Sequence, residues 1–261
     1  MPPERDFGRL CDAVDRVLEL VSARLPATDG PAIRDWNDRL LVEAFTRAYR
    51  CLRSIRELAG RREAEDAAVL TRALVSLTLQ YLWLACAEGG DERRDRLRRL
   101  QRKWARERAR LGEEMEGLGY FPTDPSEADR LREQVAQFRA TTEELREEGI
   151  GPVPNERDLA RQLDRDLQPS KPRFFELVYT RIYRPTSHVA HFGLGAALAG
   201  VAKPDTNSGA LSLERLDEEG AADALGLALV TFAALIDFSE PIIRHGLTPA
   251  VKELVENAHG I

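Results

Sequence analysis

The stretch "ALGLALVTFAALI", residues 224–236, decides the fold. It holds one polar residue, Thr231, and is bounded by Asp223 and Asp237. An apolar run with no polar stripe has no face to give to water, so as a helix it must be covered on most sides. The run is too short to span a bilayer, which needs about 20 apolar residues. It therefore predicts a central helix, over 214–237, around which other helices pack.

Those other helices are visible on both sides. Phe7, Leu10, Val14, Val17, Leu18 and Val21 recur at the 3.6-residue period within residues 4–25. The turn cluster "PATDGP" (26–31) separates them from a second helix over 32–59, with Trp36, Leu40, Val42, Ala44, Phe45, Ala48, Leu52 and Ile55 inward and Gly60 as its stop. A third helix covers 62–87, a fourth 91–116 and a fifth 125–148, opened by Pro125 and Ser126. A short helix ends near Leu167, another starts near Lys171 and Pro172, and a last one runs over 248–258. No segment alternates with period two long enough to make a strand. The expectation is an all-α, multi-helix bundle of nine or ten helices. It forms one domain over 1–261, within which 1–118 and 119–261 are two helical parts packed together.

The chain is 261 residues long, 43% hydrophobic and 31% charged, with a net charge of −6. No global positive field draws it to polyanions, so any such contact is local. Cys11, Cys51 and Cys86 lie far apart in apolar helical patterns and read as reduced, buried small hydrophobes. "MPPERDFGRL" carries acid early and has no apolar core, so no signal peptide is expected there and the cytoplasm is the expected location.

Ten Lys or Arg fall between Arg93 and Arg110, against Asp95 and Glu107. Leu97, Leu100, Trp104 and Leu111 give the same helix an apolar seam, which docks it or pairs it with a partner. The basic face is either a phosphate-contacting surface or, the stronger reading for a chain this rich in arginine, a solvated face balanced by acidic helices.

The chemistry concentrates in "VYTRIYRPTSHVAHFGLGAALAG", residues 178–200. On a helix, Arg184 and His191 are seven apart and share a face, with Ser187 and His188 between them and Arg181 one turn before. Tyr179 and Tyr183 flank this polar stripe. Pro185 either kinks one helix near Ile182 or opens a new helix after Tyr183. An arginine fork holds two phosphate oxygens, and a histidine near neutral pKa exchanges a proton with a ribose hydroxyl or a leaving oxygen. The pattern therefore points to metal-free RNA cleavage, with a satisfied Arg–Ser–His network joining helices as the structural alternative. His188 and His191, with Asp237, Glu240 and His245 downstream, make a poor metal signature. No metal and no cofactor are expected.

Tyr183, Arg184, Ser187 and His191 resemble the Tyr-Arg-x-x-Ser-x-x-x-His signature of an uncharacterised family of bacterial all-α proteins. "TRALVSLTLQYLWLA" followed by a charged helix is similar to that family's layout, the likeness covering about residues 40–200. More distantly, Arg184-x6-His191 and Arg181-x6-His188 resemble the Arg-x4-6-His motif of the HEPN (higher eukaryotes and prokaryotes nucleotide-binding) superfamily. That resemblance implies a metal-independent ribonuclease or RNA-processing protein, often dimeric, of toxin–antitoxin or antiphage systems. It implies Arg184, Ser187, His188 and His191 as catalytic residues, with Arg181, Tyr179, Tyr183 and the third-helix Arg72 as binding residues. Two positions depart from the patterns: Pro185 where the superfamily usually has a polar residue, and Ser76 where an acid often follows the third-helix arginine. The expected partners are RNA or a nucleotide and a second copy of the chain, with no membrane. The alternative is a non-catalytic nucleotide- or anion-binding, or protein-interaction, module.

Overall fold

The structure, a computed structural model, describes residues 6–24, 36–87, 89–167, 173–183, 217–243 and 245–259. All regular structure among the described residues is helical. The elements are α1 (Phe7–Arg24), α2 (Trp36–Gly60), α3 (Ala64–Ala85), α4 (Gly90–Gly117), α5 (Pro125–Glu147), α6 (Glu156–Leu167), α7 (Phe174–Val178), a π-helical turn (Tyr179–Tyr183), α8 (Glu218–Ile243) and α9 (Thr248–His259). The chain is thus an all-α multi-helix bundle. It forms two compact units, one of Met1–Ala85 with Glu156–Ile261, the other of Cys86–Asn155.

In the first unit α8 is the central helix, packed on α2 and α3 and touched by α1 and α9. Ala224, Leu225, Ala228, Leu229, Phe232, Leu235 and Ile236 are all buried, and the Phe45 and Phe232 rings meet at 5.7 Å. The helix is longer than the apolar run that announced it. Asp217, whose side chain accepts the Gly220 N–H at 2.9 Å, opens it. It continues past Asp237 to Ile243, because Asp237 faces outward while Ser239 stays buried on the next turn. With these extensions α8, like α3, is long and apolar enough to cross a membrane by length and composition, which the run alone is not. More than half of each apolar window, 61% in α8 and 56% in α3, is buried inside the protein instead.

α2 ends differently from the expectation that Gly60 stops it. Gly60 is still helical, and the left-handed residue is Arg62, at φ 61°. The Arg62 N–H reaches Ala59 O and the Glu63 N–H reaches Leu58 O, the two bonds of a Schellman turn. A non-glycine residue in this conformation costs about 1 kcal/mol. Contacts to α8 offset that cost. The Arg62 carbonyl accepts the Asp217 N–H at 3.1 Å, and its guanidinium meets Glu218 at 2.8 Å. The inward face of α2 is Leu41, Phe45, Ala48, Leu52, Ile55 and Ala59, with Leu40 and Val42 only half-buried.

The second unit is the α4–α5 helical hairpin. Asp124 caps α5, accepting the Ser126 and Glu127 N–H groups at 2.8 and 3.1 Å, with Pro125 in the first turn. α4 docks by small residues: Ala105 and Ala109 are buried, and Gly112 lies so close to Val135 that a β-carbon would collide with it. The seam of Leu97, Leu100, Trp104 and Leu111 lies beside this docking face, and Trp104 reaches α5 from it, edge-on to Phe138 at 5.0 Å. At least five of the ten basic side chains on α4 are paired with carboxylates within the unit, and a sixth meets a backbone carbonyl. Arg94, Arg96, Arg99 and Arg110 pair with Asp91, Glu92, Asp95 and Glu114, Arg98 pairs with Glu148, and Arg102 donates to Ile150 O at 2.5 Å.

Candidate functional site

The chain reaches the signature stretch through α6, α7 and the π-helical turn. α7 is only five residues long, too short to be stable by itself. Asp164 of α6 holds its start. One carboxylate oxygen accepts the Phe175 N–H and the other the Glu176 N–H, both at 2.9 Å. Asp164 is 7% exposed, so these bonds are shielded from water. Phe175 and Val178 are buried, and Glu176 bridges Arg161 and Arg173 at 3.0 and 3.1 Å. Those arginines, Arg161 first, hold its carboxyl below the usual carboxylate range.

At Tyr179 the backbone widens into a π-helical turn that packs on α3 and α6. Such turns insert one extra residue per turn and re-aim the side chains that follow. The departure from α-helical geometry thus begins at Tyr179 and takes in Ile182, where the sequence allows a kink. Tyr179 is half-buried in the turn and Arg181 is exposed. Tyr183 closes the turn. Its side chain, with Arg184, Ser187, His188 and His191, lies outside the described residues.

α3 carries a polar row on one face. Arg72, Ser76 and Gln80 recur every four residues and are half-buried. Ser76 Oγ donates to Glu156 Oε1 at 3.1 Å, and Gln80 Nε2 donates to Ser76 Oγ at 3.2 Å. Sequence reading places Ser76 where an acid often stands. The fold brings a carboxylate to that position from the first turn of α6. Glu156, Asp164 and Gln80 are absent from the sequence-derived site, since nothing local to each residue marks its partner. On the adjacent apolar flank of α3, Val75, Thr78 and Leu79 line a small pocket with Phe175, Val178 and Thr231. Thr78 Oγ1 is buried there and has no hydrogen-bond partner among the described residues.

A second polar cluster has the parts of a hydrolytic relay but not the access. His245 Nε2 lies 2.9 Å from Ser239 Oγ, and its Nδ1 lies 2.7 Å from Glu240 Oε2. Yet His245 and Ser239 are each 0% exposed, and the ring also meets Ile236 O at 3.1 Å and the Leu247 N–H at 3.1 Å. No substrate reaches such a serine. The cluster fastens the end of α8 to the start of α9, and Arg24 Nε reinforces it by donating to His245 O at 3.2 Å. Burial holds the imidazole below its ordinary pKa, with Glu240 opposing. Asp237, considered in sequence as a ligand beside Glu240 and His245, faces outward, and no group of three metal-ligating side chains occurs among the described residues.

Against known proteins, the model of a family of unknown function, DUF5677, matches residues 38–208. No curated protein and no solved structure matches.

Proposed function

We propose, from the premise that this chain belongs to the DUF5677 family of unknown function, that it is a HEPN-like, metal-independent ribonuclease. Arg184 holds the phosphate, His191 takes the proton of the 2′-hydroxyl, and His188 returns a proton to the departing 5′-oxygen. The attacking oxygen and phosphorus form a cyclic phosphate as the 5′-oxygen bond breaks. Ser187 orients the histidines, and Arg181, Tyr179, Tyr183 and Arg72 lie toward the RNA. The observation that carries this reading is the placement of the signature. It falls within the matched residues and follows directly on a π-helical turn seated on α3, the helix bearing Arg72 and the Ser76–Glu156 pair. Three free cysteines suit a reducing cytoplasm, and antiphage or toxin–antitoxin work there fits an RNA-cutting activity.

The test is incubation of the purified chain with mixed single-stranded RNA in excess chelator. Cleavage leaving cyclic 2′,3′-phosphate ends is expected. His191→Ala and Arg184→Ala should abolish it while the circular dichroism spectrum and melting temperature stay those of the wild type. Intact RNA with the wild-type chain would overturn the reading.

Pro185, in place of the superfamily's usual polar residue, favours a second reading: an anion- or nucleotide-binding module without turnover. Thermal stabilisation by nucleotides with no product would support it.

A further inference from the structure

α4 exposes an apolar stripe that α5 covers only in part, the Trp104 ring meeting Phe138 of α5 edge-on at 5.0 Å. Trp104 is 50% exposed, Leu111 48%, Met115 38% and Leu118 73%, and half-buried Leu97 and Leu100 continue the row. At roughly 100° per residue, this stripe lies about a third of a turn around the helix from Ala105, Ala109 and Gly112, which face α5. Leu97, Trp104, Leu111 and Leu118 are spaced by sevens, the repeat of a helix packed along its length on another helix.

The order of residues along the stripe says which helix that is. Turned end for end about the point between Glu107 and Arg108, the stripe maps onto itself. Leu97 falls on Leu118, Leu100 on Met115 and Trp104 on Leu111. Each pair sits on opposite sides of the stripe's midline, as facing residues of antiparallel helices do. Glu107 falls on Arg108, so the exposed charges beside the centre meet with opposite sign, twice by symmetry. A parallel pairing would instead set Glu107 against Glu107 and Arg108 against Arg108. A surface complementary to itself under a two-fold rotation is an isologous interface.

We propose that the α4 stripe is the seam of an antiparallel homodimer, in which a second copy of this chain lays its α4 along the first with Glu107 facing Arg108. From Leu97 to Leu118 the seam is about 30 Å long at ~1.5 Å per residue, room for two hairpins to form a four-helix bundle.

The test uses the full chain in sedimentation equilibrium. The wild type should show twice the 29.3 kDa monomer mass. Leu111→Glu, at an exposed position, should give monomer with an unchanged circular dichroism spectrum. Glu107→Arg and Arg108→Glu should each weaken association at least ~10-fold, as a like-charge contact made twice requires. The double variant Glu107→Arg/Arg108→Glu should restore it. Wild type that stays monomeric, at concentrations up to about 100 μM, would leave the stripe to a helix of another sequence and overturn the proposal. So would a Leu111→Glu dimer, or a double variant no better associated than the singles, since neither fits this register.

Discussion

Asp164 and Phe175 are joined by a buried 2.9 Å hydrogen bond from the Phe175 backbone to the Asp164 carboxylate, with the Glu176 N–H on the other oxygen. One side chain of α6 thereby satisfies two of the unpaired N–H groups at the start of a five-residue helix. Asp164→Ala should cost about 1–3 kcal/mol in urea unfolding, and Asp164→Asn, which keeps one acceptor, less than half of that. Under the proposed ribonuclease function, the same variants should lower RNA cleavage without changing the cyclic-phosphate product. An Asp164→Ala chain as stable as the wild type would remove Asp164 as the anchor of α7.

His245 makes stability depend on pH. Burial lowers its folded-state pKa below the ordinary value of 6.5, so on acidification the unfolded chain binds the proton first. Stability from the neutral ring is fully present above 6.5 and is lost as pH falls from there toward the folded value. Melting temperatures across about pH 7.5 to 5.5 should therefore decline, beyond the change seen in His245→Gln over the same range. That variant should itself be less stable by about 1–3 kcal/mol, because Ser239 and Glu240 each lose the imidazole and keep only Ile236 O and the Gly246 N–H. Identical pH slopes for both proteins would mean that Glu240 fully offsets burial, and the opposite slope that it outweighs it.

Cys51 should be nearly inert. Its thiol is pushed up to about 11 by burial, with Arg47 opposing, and it points at Leu70 O at 3.4 Å. At pH 8 only about one molecule in a thousand carries the thiolate that reacts. The Cys11 thiol is raised in the same direction, chiefly by burial, and the side chain is buried. Labelling with a thiol reagent, followed by peptide mass spectrometry, should find both at least ~100-fold slower in the native chain than in guanidinium. Rapid native modification of Cys51 would contradict its burial.

Gly112 tests the fit of the hairpin. An alanine there would gain up to about 1 kcal/mol of helix propensity but drive its methyl into Val135. The clash should win, with a net loss of about 1–2 kcal/mol. Val135→Ala in the same chain should recover most of it, because the cavity left by the valine accepts the added methyl. A Gly112→Ala chain that melts higher than the wild type would show that the helices separate freely.

The helices themselves were legible in the sequence, because their causes are local. The apolar period of α1, the caps at Asp124 and Pro125, and the all-round apolar character of 224–236 each act within a few residues. Reading went astray where a distant partner changed the local outcome. Arg62 rather than Gly60 takes the left-handed position, because Asp217 and Glu218 are there to hold it. The apolar seam of α4 was legible too, but which face met α5 was not, since Ala105, Ala109 and Gly112 carry little hydrophobic signal. They dock because they are small.

For the site the division is the same. Sequence by itself determined the residue types within 178–200 able to handle a phosphate and the self-complementary order of the α4 stripe. The tertiary structure decided that Glu156 reaches Ser76, that Asp164 anchors α7, and that Ser239, Glu240 and His245 form a sealed fastening instead of a relay. Helical periodicity fixes which way a side chain leaves its own helix. It does not say which helix, tens of residues away, will be packed against it, and that choice belongs to the burial of the whole core.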